Sequence, residues 1–120
     1  MASGSITPGF LSGSTNGRGI AVTADSPSGA PTIHTATSTS GKIDYIDLWA
    51  CNTSGGAVVL TVQFGGVSDP DDIIRDSLAA NSGTVRIANN LPLAGGLVVT
   101  AYAGTADVIT IFGAVKTVEL

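Results

Sequence analysis

The chain has 120 residues, of which 12% are charged, with five Lys and Arg against nine Asp and Glu and a formal net charge of −4. That length makes one domain with a folded surface on the order of 6,000 Å², and scattered cations in an acidic chain argue against a nucleic-acid binder, which needs clustered Lys and Arg. One cysteine, Cys51, and one histidine, His34, exclude an internal disulfide and a metal site built from Cys and His.

Residues 1–30, MASGSITPGFLSGSTNGRGIAVTADSPSGA, are dense in Gly, Ser, Thr and Pro. Such a stretch buries too little to fold alone, so it reads as an extended N-terminal arm. Ile6, Phe10 and Leu11 are its candidate anchors on a partner, and residues 19–24 suit a short strand. The opening lacks the basic start and long apolar run of a signal peptide. No stretch approaches the roughly 18 apolar residues of a membrane span, so the chain is expected to be made and kept in a cytoplasm, or packaged from one.

From Pro31 the pattern becomes regular, and residues 31–120 read as the folded domain. Residues 31–38 alternate Thr and His around Ile33 and Ala36, as an edge strand does. Residues 42–52, KIDYIDLWACN, place Ile46, Leu48 and Ala50 on one face and Tyr45, Trp49 and Cys51 on the other. Large residues on both faces imply a central strand, or one facing a core and an interface, with Cys51 a buried inert thiol. Residues 57–64 alternate Val58, Leu60, Val62 and Phe64 against Val59, Thr61 and Gln63, a half-buried strand.

The loop GGVSDPDD follows, and residues 72–80 suit a strand better than a helical turn, because polar and apolar residues alternate there. A short strand over 84–88 and a connection NNLPLAGG lead to the last quarter. There Leu97–Ala103 and Val108–Val115, both rich in β-branched residues, flank Gly104–Asp107, the pattern of a β-hairpin. The last strand should dock on its own sheet. Turns about ten residues apart predict an all-β chain: one β-sandwich or jelly-roll-like domain of seven to eight short antiparallel strands.

The chemistry-bearing residues are few. Asp69, Asp71 and Asp72 could offer oxygens to a hard cation, but Asp-Pro and Asp-Asp are ordinary turn chemistry, so no metal and no cofactor is expected. His34 shows no nucleophile or orienting partner nearby in sequence and reads as a surface or edge histidine rather than a general base. Asn52-Thr53-Ser54 matches a glycosylation sequon but reads as a turn, and the glycine pairs lack the Lys of a phosphate loop. Tyr45, Trp49, Phe64, Tyr102 and Phe112 sit at alternating strand positions and read as core or interface residues. No catalytic residue is assigned, and an enzyme is the least expected class.

The runs DYIDLWACNTSGGAVVLTVQFGG, DPDDIIRDSLAANSG and LPLAGGLVVTAYAGTADVITIFGAV, spanning about residues 43–115, resemble small virion structural proteins of tailed bacteriophages. The resemblance implies a non-enzymatic β-sandwich located in the virion. Its favoured post is a capsid cement or decoration protein, a homotrimer clamped onto the major capsid protein. The sparse charge fits a surface partly covered by other chains. A neck or tail component is the alternative within the particle, and a carbohydrate-binding attachment module, with an exposed aromatic cluster at Tyr45, Trp49 and Tyr102, the alternative of another class.

Overall fold

A computed structural model describes residues 4–120. They form nine strands: β1 (Ile6–Gly9), β2 (Ile20–Ala21), β3 (Thr32–Thr35), β4 (Lys42–Asn52), β5 (Val58–Phe64), β6 (Ile73–Leu78), β7 (Thr84–Leu93), β8 (Val98–Ala103) and β9 (Ile109–Glu119). All pairings are antiparallel. One sheet, A, has the order β1-β9-β4-β7 with β2 also on β9; the other, B, has the order β3-β8-β5-β6. The chain is an all-β sandwich of nine strands against the seven or eight expected, and the arm supplies two of them, β1 and the short β2 expected within 19–24.

Period-two alternation is what builds it. Along β4 the inward residues Asp44, Ile46, Leu48, Ala50 and Asn52 are buried and every residue between them is half-buried. β5 sends Val58, Leu60 and Val62 inward, β8 sends Val99, Ala101 and Ala103, and β9 sends Ile109, Ile111 and Val115. These side chains meet between the two sheets as one core, where each large aliphatic contributes about 1.5–3 kcal/mol on burial. The segment over 72–80 is indeed a strand, paired with β5 from Val58↔Leu78 to Gln63↔Ile73.

Two expectations from the sequence are corrected. The runs over 97–103 and 108–115 are strands but not a hairpin. β8 is hydrogen-bonded to β3 and β5, while β9 is hydrogen-bonded to β4 on one side and to β1 and β2 on the other. Both edges of each strand are already occupied, so the largely exposed residues 104–107 carry the chain from one sheet to the other. Asp107, at φ 67°, turns it there, and its N–H is fixed by the Val22 carbonyl at 3.0 Å. The second correction concerns 89–93, expected as a connection. β7 runs through to Leu93 because shifts in its register with β4 absorb the polar Asn89-Asn90 pair, with Asn90 at φ 57°.

The arm lies along the open edge of β9. Ile6↔Val118 through Gly9↔Val115 and Ile20↔Ile111 are its pairings. Between them Leu11 turns into the core at 1% exposure, and Val22 and Ala24 follow it inward.

Candidate functional site

The outward face of sheet A collects the residues that the core does not use. On β4 these are Ile43, Tyr45, Asp47, Trp49 and Cys51, all half-buried. Their direct partners on β9 are Val118, Lys116, Ala114, Phe112 and Thr110. The side chain of Arg86, on β7, stands over the Trp49 ring, 4.9 Å from its centroid, a cation–π contact. Beside β9 the arm adds Ile6 and Phe10, 62% and 61% exposed.

A groove of about 310 Å³ crosses this face, lined by Ile6, Tyr45, Asn90, Lys116 and Val118. One element of each neighbouring strand contributes: β1, β9, β4 and β7 in turn. Asn90 is held at its rim because its N–H donates to Asp47 Oδ1 at 2.7 Å. Gly19 packs against Thr110 and Phe112, where a Cβ would lie 2.9 Å from the Phe112 ring, so the arm approaches this face closely and a larger residue there would push these two side chains aside.

Of the anchors expected in the arm, the structure leaves Ile6 and Phe10 at the surface and places Leu11 inside the chain's own core. Among the expected core or interface residues, Phe64 packs against the core from β5. Tyr45, Trp49 and Phe112 share the outer face of sheet A, whereas Tyr102, opposite Thr61, lies on the outer face of sheet B. Tyr45, Trp49 and Tyr102 are half-buried and divided between two faces, so no single platform presents all three.

His34 lies on the edge strand β3, one of the two placements its sequence suggested, but its side chain turns inward. It is 5% exposed, not a surface histidine. A register shift between Thr32 and His34 in the pairing with β8 turns both Ile33 and His34 inward, as a bulge does. Nδ1 accepts the Ser12 N–H at 2.9 Å, which places the ring proton on Nε2, donated to Asp44 Oδ2 at 2.8 Å. Asp44, 3% exposed, also accepts the Thr37 N–H at 3.0 Å and the Thr117 hydroxyl at 2.6 Å. Burial alone would push the Asp44 carboxyl up; hydrogen bonds from Thr117, His34 and Thr37 outweigh it and hold the group below its ordinary value.

This knot joins the arm, β3, β4 and β9, and its chemistry is structural. Ser12 meets the imidazole through its amide, while its Oγ accepts the Thr35 N–H at 2.8 Å. The hydroxyl is thus not delivered to the ring as a nucleophile would be.

The remaining candidates are also held by the fold. Asn52 is wholly buried; its amide donates to the carbonyls of Gly56, Leu78 and Ala79, and its Oδ1 accepts from Ser54. In the acidic loop Asp69 pairs with Arg75 at 3.0 Å and Asp72 accepts the Ser68 N–H at 3.1 Å. Among the described residues no three His, Cys, Asp or Glu side chains converge as metal ligands. No helix among them is long and apolar enough to cross a membrane.

The two-sheet antiparallel sandwich defines the chain's architectural class. No family model matches the sequence, and no curated protein does. Among solved structures the fold is similar to a chain from Bacillus endospore appendages, described as a novel family of disulfide-linked pili, with a TM-score of 0.52 and 16% identity over 99% of this chain and 92% of that one. At that identity the likeness concerns the fold alone.

Proposed function

We propose that this chain is a non-enzymatic virion structural protein, a capsid cement or decoration protein that assembles as a homotrimer and clamps onto major capsid subunits. The observation that carries this reading is the outer face of sheet A. Ile6, Tyr45, Trp49, Phe112 and Val118 make it apolar across several strands, in a chain whose charge is sparse. A large apolar face rimmed by polar groups serves contact with protein. The resemblance over residues 43–115 supports a virion as the setting, and repeated capsid subunits would supply equal contacts to each copy of a symmetric oligomer.

In this reading the arm contributes Ile6 and Phe10 to the contact, while Leu11 secures the arm to its own sandwich. The test is mass by light scattering, followed by binding to phage heads stripped of the protein. A trimer that rebinds in hundreds of copies is the expected result. A monomer, or a few copies at one vertex, overturns it.

A fibre subunit is the second reading, favoured by the fold likeness to a pilus chain. A linear disulfide-linked polymer needs at least two cysteines in each subunit, and this chain has one. Any fibre would therefore be held by non-covalent contacts, and electron microscopy of concentrated protein would show it.

A further inference from the structure

We propose that the groove on sheet A receives the loop between β5 and β6 from a second copy of this chain, so that copies join head to tail. The inference rests on the reading of the chain as an assembling structural subunit and names the partner of its principal face.

Six of the eight exposed large apolar residues among those described fall into two separate patches; Val59 on β5 and Leu120 after β9 lie apart from them. Ile6, Phe10 and Phe112 lie on or beside the outer face of sheet A. Val67, Leu97 and Val98 lie at one end of sheet B, where the Gly65 N–H bonds the Val98 carbonyl and Gly65 packs near Leu97. Val67, at 73% exposure, is the most exposed large apolar residue of the described chain.

The charges divide the same way and with opposite sign. Asp69, Asp71, Asp72 and Asp76 against Arg75 make residues 65–76 the acidic part of the molecule, accounting for a net −3 of the chain's −4. The groove and its surroundings present Lys116 and Arg86, while the nearby carboxylates Asp47 and Glu119 accept the Asn90 N–H and the Ser5 hydroxyl. In the loop Asp69 and Asp72 are engaged by Arg75 and Ser68, whereas Asp71 is exposed with no hydrogen-bond partner among the described residues.

An apolar tip beside a carboxylate thus matches an apolar groove beside an ammonium group. Val67 would cover Ile6, Tyr45 and Val118 while Asp71 meets Lys116. The loop belongs to sheet B and the groove to the outer face of sheet A, and none of the loop's residues lines the groove of its own chain. Its occupant is therefore another copy. Such a contact uses two different surfaces, so it closes into a ring when the rotation per copy allows and otherwise extends as a filament. A three-copy ring is the closed form the proposed function calls for.

The test uses the full chain in sedimentation velocity across protein and salt concentrations. Wild type associates, less so at high salt; Lys116→Glu and Asp71→Lys each weaken association about tenfold or more. Both positions are exposed, and circular dichroism checks that the variants stay folded. Mixing the two single variants is the decisive step, because the intact loop of one then meets the intact groove of the other, the two substituted surfaces are themselves of opposite charge, and association returns with the two chains alternating. The double variant, with the charges exchanged, regains association. A wild type that stays monomeric to about 1 mM, a Lys116→Glu chain that assembles normally, or a mixture that associates no better than either variant alone overturns the proposal. Head binding measured on the same variants separates the two readings: a monomer that still coats heads removes the head-to-tail contact alone.

Discussion

His34 Nε2 donates to Asp44 Oδ2 at 2.8 Å in the interior of the sandwich, binding an edge strand of sheet B to a central strand of sheet A. Both groups are satisfied on every side, by the Ser12 amide on the ring and by Thr37 and Thr117 on the carboxylate. Removing either partner leaves the other buried without its bond, so His34→Phe or Asp44→Ala should cost about 2–4 kcal/mol in urea unfolding.

The carboxylate of this pair contributes to the response to acid. Asp44 has its carboxyl held below the ordinary value in the folded chain: burial raises it, and the hydrogen bonds from Thr117, His34 and Thr37 together lower it further than burial raises it. A group with a depressed folded pKa binds its proton more readily in the unfolded chain. Its contribution is complete above the ordinary carboxylate range, near pH 4, and is lost as pH falls through the folded value. Urea midpoints measured from pH 7 down to about pH 2.5 should fall most steeply below pH 4, and Asp44→Asn should flatten that fall. An unchanged slope in the variant would assign the acid sensitivity to other carboxylates.

The arm divides at Leu11. A Cβ built on Gly113 of β9 would lie 2.9 Å from Leu11 Cδ1 and would also collide with the Asp47 carbonyl, so Leu11 fills the space that this glycine leaves open. β1, by contrast, is exposed at all four positions and held along the β9 edge. Deleting residues 1–9 should leave a folded chain with a thermal midpoint lowered by a few degrees, about 1 kcal/mol. Deleting through residue 18 also removes Leu11 from the core and Ser12 from His34, and should cost about 3–5 kcal/mol or abolish folding. Equal midpoints for the two truncations would show that Leu11 contributes nothing to the core.

How far these features can be read in the sequence depends on how local their cause is. β4 and β5 are visible because alternation is a property of adjacent residues, and Ile46, Leu48, Val58 and Leu60 face where their spacing puts them. The partner of a strand is not a local property. Leu97–Ala103 and Val108–Val115 look like a hairpin, and only the arm on β9 and β3 on β8 show that both edges are taken. The burial of His34 depends on a single register shift against β8, which leaves no mark in a run of alternating Thr, Ile and Ala. The outer face of sheet A was legible as a row of large residues at odd positions of β4. Its groove was not, because Ile6, Asn90 and Lys116 come from strands far apart in the chain.

Arg86 over Trp49 gives the outer face an optical reporter, since Trp49 is the chain's one tryptophan. Arg86→Ala removes a cation–π contact of about 0.5–1 kcal/mol and uncovers the indole. Its emission should shift to longer wavelength with the fold retained by circular dichroism. Arg86→Lys should shift it less. Identical spectra for all three chains would mean that the guanidinium does not cover the ring in solution.

The last prediction concerns how copies are held together. Cys51 is half-buried on the outer face of sheet A, directly opposite Thr110, and it is the chain's single thiol. One thiol can join two chains and no more, so oxidation can produce covalent dimers but never a covalent ladder. Assemblies formed by this protein should therefore keep their size in excess dithiothreitol, and denaturing gels run without reductant should show no species above the dimer. The Cys51→Ser variant should assemble as the wild type does. Dissociation on reduction, or loss of assembly in that variant, would place the thiol within the contact and demand a packing of copies across the β4–β9 seam rather than at the groove.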